Sequence, residues 1–321
     1  MTAGATEMAP RQTTTHAVRC EDLTYRFGTH TAVDHVDLSI APGEMFGLLG
    51  PNGAGKTTTI RMIMNITAPD SGEIMVLGKP LDRATQNQIG YLPEERGLYR
   101  RMKVMDHLYF LAAIKEVPRE TARSRIADWV DKMELRPWLN KKVDALSKGM
   151  QQKVQFIATI IHDPEILILD EVFSGLDPIN TALIKDYLLD FRSRGKTIVF
   201  STHVLEQAEK LCDEICLVSK SRKVLEGSLK DLKKRFSQGL LRLSVAASPA
   251  DVSALPGVSS CQTMNGFYIV SLNPGTDRRA FLRQLMDRYE VAAFSDKEPE
   301  LEEIYLSAVK AAGLEETRTV D

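Results

Sequence analysis

The hydrophobic pattern changes period several times along the chain, and each change marks an element. Val18–Tyr25 reads as a strand, and Ala32–Ile40 alternates apolar with polar residues, as a half-exposed antiparallel strand does. Pro42-Gly43 turns the chain into Met45–Leu49, a short apolar run bounded by glycine that predicts a buried strand. Thr59–Met64 predicts the first turns of a helix, and Gly72–Leu77 and Gln88–Leu92 predict two further strands. From Met105 to Trp138 the character is helical: Ile126, Val130 and Met133 recur at helical spacing between charges, and Asp106 is placed to cap the start. A long helix opens at Ser147, a good N-cap residue, and runs to about Ile161. Glu165–Leu169 leads into Asp170-Glu171 as a continuous apolar run, the signature of a central parallel strand buried on both faces. Helix 178–193, strand Thr197–Ser201, a helix after His203 and a hairpin over 215–218 and 223–225 complete the series. Strands alternating with helices predict an α/β fold with a doubly wound, mostly parallel central sheet.

The two ends differ from this middle. Residues 1–17 are polar, Thr-rich and without period, the composition of a disordered tail. Beyond about 235, Leu241–Val245 and Phe267–Ser271 read as strands, and Arg278–Tyr289 and Pro299–Ala312 as helices. The last helix carries Leu301, Ile304, Tyr305 and Val309 on one face. These predict a small C-terminal α+β domain over 233–321 with ferredoxin-like content, after a main domain over 18–232 whose helical part spans about 103–161. Lys230–Arg235 reads as a solvated linker helix.

Composition narrows the picture modestly. At 321 residues, two domains are expected, and 43% hydrophobic content supplies a packed core. A net charge of −2 predicts no broad nucleic-acid footprint. Cys20, Cys212, Cys216 and Cys261 lack metal-ligand spacing and are expected to be reduced. No apolar run reaches the roughly 20 residues that span a bilayer, and the N-terminus has no hydrophobic signal core, so a membrane role would require a partner.

The chemistry is carried by Gly50-Pro51-Asn52-Gly53-Ala54-Gly55-Lys56-Thr57-Thr58, between the buried strand and the following helix. Strand, glycine-rich loop, Lys-Thr and helix in that order form a P-loop. Its glycines let successive backbone N–H groups turn inward around a phosphate at a helix N-terminus. Lys56 is then placed to reach the β- and γ-phosphates, and the Thr57 hydroxyl to ligate Mg²⁺. Asp170, ending an apolar strand, is a second Mg²⁺ contact, commonly through water; Glu171 beside it is placed to polarise an attacking water.

Taken together, these motifs resemble the nucleotide-binding subunits of ABC transporters over about residues 18–230. Phe27 stands in the adenine-stacking position, Pro93-Glu94 in the Q-loop position and Leu146-Ser147-Lys148-Gly149-Met150 in the signature position. Asp170-Glu171 follow, then Ser174-Gly175-Leu176-Asp177 as the D-loop and His203 as the switch histidine. The resemblance implies a P-loop NTPase fold with an antiparallel β subdomain and a helical subdomain, and ATP and Mg²⁺ as cofactors. It also implies two such subunits, identical or paralogous, closing head to tail on two ATP molecules. Ser147 and Gly149 of one would meet the γ-phosphate held by the other, aided by the helix dipole, and Asp177 of the D-loop is among the implied nucleotide-binding residues. His203 would sense the γ-phosphate and the attacking water.

Two positions depart from the family pattern. Glu94 replaces the usual glutamine of the Q-loop; it can still approach Mg²⁺ but brings negative charge to the triphosphate. In the signature, Lys148 and Met150 replace a glycine and a glutamine, while Ser147 and Gly149 are kept. The run Leu92–Tyr99 and the C-terminal Leu301–Leu306 resemble the sodium-export and drug-export subgroup that serves ABC-2 permeases. That narrower resemblance implies an exporter ATPase held at the inner face of the cell membrane through its permease. Leu98, Tyr99 and Met102 are then the expected docking surface. A soluble ABC ATPase acting on ribosomes or DNA is the competing class. Translation-type members carry two nucleotide-binding domains and repair-type members a long coiled coil; the sequence has one such domain and no sustained heptads.

Overall fold

The computed structural model describes residues 16–314, apart from Arg96, Gln238 and Asn265. Most of the expected tail lies outside the described residues, but Ala17 does not belong to a tail. It is fully buried, and its N–H donates to the Ile40 carbonyl at 2.7 Å. The chain separates into two compact units between Glu226 and Gly227, ahead of the 232/233 boundary that the sequence suggests.

In the first unit, β1 (Val18–Phe27) and β2 (His30–Ile40) form an antiparallel hairpin. β3 (Met45–Leu49), all five residues buried, leads through the glycine-rich loop to α1 (Lys56–Ile63). β4 (Ser71–Val76) and β5 (Lys79–Pro80) extend the hairpin into a four-stranded antiparallel sheet ordered β2-β1-β4-β5. α2 (Arg83–Gln86) and β6 (Ile89–Leu92) follow.

The helical run from 105 is two helices, because Pro118 cannot sit inside one: α3 (Val104–Ile114) and α4 (Arg119–Lys132), which starts just after the proline. Asp106 does not cap α3. The N-cap is Lys103, without a side-chain bond, and Asp106 lies in the first turn, where its charge still suits the dipole. α5 (Lys148–Ile160) does begin as expected: Ser147 is its N-cap, and the Ser147 Oγ accepts from the Met150 N–H at 3.3 Å. Trp129 of α4 packs edge-on to Phe156 of α5.

Then come β7 (Ile166–Asp170), α6 (Pro178–Ser193), β8 (Thr197–Thr202), α7 (Leu205–Leu211), β9 (Glu214–Ser219) and β10 (Arg222–Ser228). The second sheet is ordered β10-β9-β3-β8-β7-β6, with β9, β3, β8, β7 and β6 parallel. Its interior strands are continuous apolar runs because both faces are covered. Phe46, Leu48, Ile60, Ile168 and Val199 belong to one buried cluster with β1, β2 and α1. Each such side chain contributes about 1.5–3 kcal/mol. Parallel strands place all their carboxyl ends on one edge, so the segments after β3, β8, β7 and β6 meet there.

The second unit contains α8 (Leu229–Phe236), which buries Leu229 and Leu232 and packs with α11, so the segment expected as a solvated linker carries core residues. β11 (Leu240–Val245), α9 (Pro249–Ser253), β12 (Val258–Met264), β13 (Phe267–Leu272), α10 (Arg278–Arg288), β14 (Val291–Asp296) and α11 (Leu301–Ala311) complete it. Its four strands form an antiparallel sheet ordered β12-β13-β11-β14 over a core that includes Leu241, Leu243, Val270, Phe281 and Leu285. The α+β content is as expected, with two more strands.

Two histidines of the first unit make its stability depend on pH. Burial, helped by the Lys115 charge, pushes the His162 imidazole from 6.5 down to about 4. Its Nε2–H donates to the Ile89 carbonyl at 3.1 Å, which offsets only part of the burial penalty, and the folded state holds the neutral ring. His107 is fully buried, and burial lowers its pKa as well. The unfolded chain therefore binds protons that the folded chain refuses, and stability falls as pH drops from 6.5 toward about 4. Urea midpoints should decline through that window, and His107→Leu with His162→Gln should remove much of the slope. A wild-type midpoint that stays level across it contradicts the assignment.

Candidate nucleotide site

The glycine-rich loop is shaped by two close approaches. Gly50 has φ 153°, and a Cβ there would lie 2.1 Å from the Val218 carbonyl oxygen. Gly55, at φ 103°, caps α1 without a side chain, and a Cβ would lie 2.4 Å from the Ala32 carbonyl oxygen. Only glycine fits at either position. Pro51, Asn52 and Gly53 form the exposed rim, Ala54 is buried, and Thr57 and Thr58 are half-buried in the first turn of α1. With no side-chain cap, the first N–H groups of that helix remain available to an anion.

Lys56 is 6% exposed, and its Nζ donates to the Gly50 and Pro51 carbonyls at 2.8 and 3.1 Å. Burial holds its pKa below the ordinary lysine range, partly offset by the charges of Glu171, Asp170 and Glu94. Those three carboxylates stand at the ends of β7 and β6, so the parallel sheet brings them to the loop after β3. The Lys56 Nζ and Glu171 Oε1 are 4.0 Å apart.

Glu171 adopts φ 50°, a costly conformation for a residue with a side chain, and its N–H donates to the Ser201 carbonyl at 3.2 Å. Its carboxylate is 9% exposed and accepts from the His203 Nδ1–H at 2.8 Å and the Thr202 hydroxyl at 3.5 Å. His203 is nearly half exposed, which leaves Nε2 for a second partner. Asp170 is 1% exposed; one oxygen accepts from the Ser201 hydroxyl, and Oδ2 has no partner among the described residues. An orphaned carboxylate oxygen whose charge reaches Lys56, and a threonine hydroxyl in the first turn of α1, are the oxygen donors a Mg²⁺ ion takes alongside phosphate and water, so Asp170 and Thr57 suit such an ion by their chemistry. Among the described residues no cluster of three or more His, Cys, Asp or Glu could hold a metal by itself.

The remaining predicted residues occupy two other places. Phe27 ends β1, 55% exposed, with its ring edge-on to Tyr25 at 4.7 Å, an aromatic face open to a base. Ser147 is exposed at the start of α5, and none of its described hydrogen bonds reaches the P-loop. Gly149, the second residue of that helix, lies beside Asp177 and Asn180, where a Cβ would be 4.0 and 3.4 Å from their side chains. Asp177 is occupied as the N-cap of α6: its carboxylate accepts from the Asn180 N–H at 3.0 Å. That capping bond keeps its pKa below the usual carboxylate range. Signature and D-loop residues are thus neighbours of each other.

Several contributors escape the motif reading. Ser201 and Thr202 hold Asp170 and Glu171 from the adjacent strand. Gln152 and Gln155 of α5, both buried, donate to the Val172 and Pro93 carbonyls. The available signal was two glutamines three apart among apolar residues of a helix.

Comparisons with known proteins agree with this architecture. The ABC transporter family profile matches residues 33–174, and that of the ATP-binding protein DrrA1-3-like C-terminal domain matches residues 227–309. The ABC transporter ATP-binding protein YhaQ of Bacillus subtilis is 39% identical over 91% of this chain and 98% of its own. The Nod factor export ATP-binding protein I of Paraburkholderia xenovorans is 35% identical over 66% of this chain and 71% of its own. A solved ATP-binding subunit of an ABC transporter superposes with a TM-score of 0.65 at 29% identity, covering 68% of this chain and 93% of that one. With a P-loop, an acid-ended β7 and a histidine directly after β8 on one sheet edge, the chain belongs to the ABC transporter ATP-binding subunits, which bind and hydrolyse ATP.

Proposed function

We propose that this subunit powers export by a separate membrane permease of the ABC-2 type, as one half of an ATP-closed dimer on the inner face of the membrane. Among the described residues no helix is long and apolar enough to cross a bilayer. The export wording comes from the Nod factor export relatives, and the C-terminal unit matches the DrrA1-3-like profile. Tyr99 and Phe110, 51% and 40% exposed and edge-on to each other at 5.2 Å, form an aromatic patch beside the helical part, the chemistry of a docking surface.

At the site, the P-loop amides and Lys56 bind the β- and γ-phosphates, and Phe27 stacks on the base. Thr57 and Asp170 would hold Mg²⁺ and Glu94 would approach it; the bound ion would supply charge neutralisation at the phosphates. Glu171 accepts a proton from the attacking water, and His203 orients that water against the γ-phosphate. His203 also fixes the Glu171 carboxylate, which keeps the base aimed.

The observation that carries the dimer is the position of Ser147: exposed, at a helix N-terminus, and bonded to nothing in its own P-loop. Each chain holds two half-sites. Ser147→Arg should therefore abolish hydrolysis while leaving the ATP affinity of the isolated subunit almost unchanged. Mixed with Lys56→Ala, equally inert alone, it should regain activity, because one site of each mixed dimer keeps both Lys56 and Ser147. If the Ser147→Arg subunit itself loses ATP affinity, or if the mixture stays inert, the composite site is wrong.

A further inference from the structure

α5 carries Ser147 at its N-terminus and, further along, three buried polar side chains: Gln152, Gln155 and Thr159. Their spacing places them on one helix face, and each donates to a backbone carbonyl of the sheet edge. The Gln152 Nε2 donates to the carbonyl of Val172, directly after Glu171, at 3.2 Å. The Gln155 Nε2 donates to the carbonyl of Pro93, directly before Glu94, at 3.0 Å. The Thr159 hydroxyl donates to the carbonyl of Tyr91 at 3.3 Å.

The Gln155 contact is the unusual one. Pro93 has no N–H and stands outside the ladder, because β6 ends at Leu92. Its carbonyl is what ties the start of the Glu94 loop to a rigid element. Gln155 is 5% exposed, and its Oε1 has no partner among the described residues. A buried amide that leaves its oxygen unpaired costs stability, and an apolar residue of similar size would avoid that cost. The amide is accounted for if holding the Pro93 carbonyl serves the reaction.

We propose that Gln155 is a positioning residue for ATP hydrolysis, which fixes Glu94 to the helix that presents Ser147. It acts through Glu94, whose charge reaches Lys56. This rests on the role proposed above for Glu94, a glutamine in the family pattern. A glutamine on α5 thus steadies a loop in which the usual glutamine is missing.

The test is a double-mutant cycle on the purified full-length protein, measuring kcat and KM for MgATP. Gln155→Leu should lower kcat about tenfold with KM little changed. In a Glu94→Ala background it should lower kcat no further, because the residue it positions is gone. Full additivity of the two losses, or wild-type kcat in Gln155→Leu, overturns the proposal. If Glu94→Ala alone has wild-type kinetics, the role of Glu94 fails instead.

A second variant covers a Gln155→Leu protein that does not fold. A protonated carboxyl introduced by Gln155→Glu can still donate to the Pro93 carbonyl, and an ionised one cannot. Relative to wild type, this variant should be active at about pH 6 and lose about tenfold by about pH 8.5. Position 155 borders a cavity of about 200 Å³ lined also by Tyr91, Lys115 and His162, with Glu94 beyond Pro93. The wild-type profile carries the titrations of those groups. A Gln155→Glu profile parallel to wild type refutes the donor role.

Discussion

A Glu171→Gln variant is expected to bind ATP with near wild-type affinity and to hydrolyse it about a thousandfold more slowly. The substitution changes one atom type in a place already fitted to the shape. The Glu171 side chain is buried at the end of β7, and its two oxygens face the His203 ring and the Thr202 hydroxyl. An amide there keeps an acceptor for one of these neighbours, so the backbone at φ 50° should persist. It cannot take a proton from water. It also removes the charge opposite Lys56, 4.0 Å away, which frees the ammonium for phosphate and should preserve or improve binding. Equilibrium binding of labelled ATP with single-turnover hydrolysis separates the two effects. A variant that still turns over at a tenth of the wild-type rate or faster would move the base to another residue, with His203 the next candidate.

Lys56→Ala should do the opposite: ATP binding is lost and stability is kept. The Lys56 ammonium is buried and makes two bonds to loop carbonyls, Gly50 and Pro51. Burial lowers its pKa, which means that the folded protein bears a cost to keep the charge there. That charge is retained for a ligand carrying several negative charges of its own. Without it, the nest amides remain, but the nearest side-chain cation to the γ-phosphate is gone, and the Asp170, Glu171 and Glu94 carboxylates repel the triphosphate unopposed. ATP affinity should fall at least about a hundredfold and hydrolysis become undetectable. The melting temperature without nucleotide should stay within a few degrees of wild type. Wild-type affinity in this variant would rule out the loop as the phosphate site. A large loss of stability would mean that Lys56 serves mainly to hold the loop together.

The nucleotide loop was legible because its chemistry is contiguous. A phosphate nest needs successive backbone amides, glycines where a Cβ would strike Val218 or Ala32, and a lysine at fixed distance along one segment. Spacing alone carries that information. Asp170-Glu171 were legible for a related reason, since a run buried on both faces can end in two acids only where something compensates them. The second unit was half legible. β11 and β13 hold core residues and show them in the pattern, whereas β12 and β14 are edge strands with only their first residues or isolated positions sheltered. A strand without a dry face has no hydrophobic period to detect. Pro118 announced the break between α3 and α4, but the helical character on both sides concealed it.

By itself, then, the chain specified the glycine-rich loop, most of the order of strands and helices in the first unit, and the two acids at the end of β7. Parallel pairing of β3, β8, β7 and β6 decided that Gly50, His203, Glu171 and Glu94 share one edge, because only the sheet order brings those four strand ends together. Tertiary structure also decided the partners. Ser201 and Thr202 face the acids of the neighbouring strand, and Gln155 reaches a carbonyl 62 residues away. A hydrogen bond between a side chain and a distant backbone oxygen leaves no spacing in the sequence. Any donor of the right length will serve it, and only the packing of α5 against the sheet determines which carbonyl it meets.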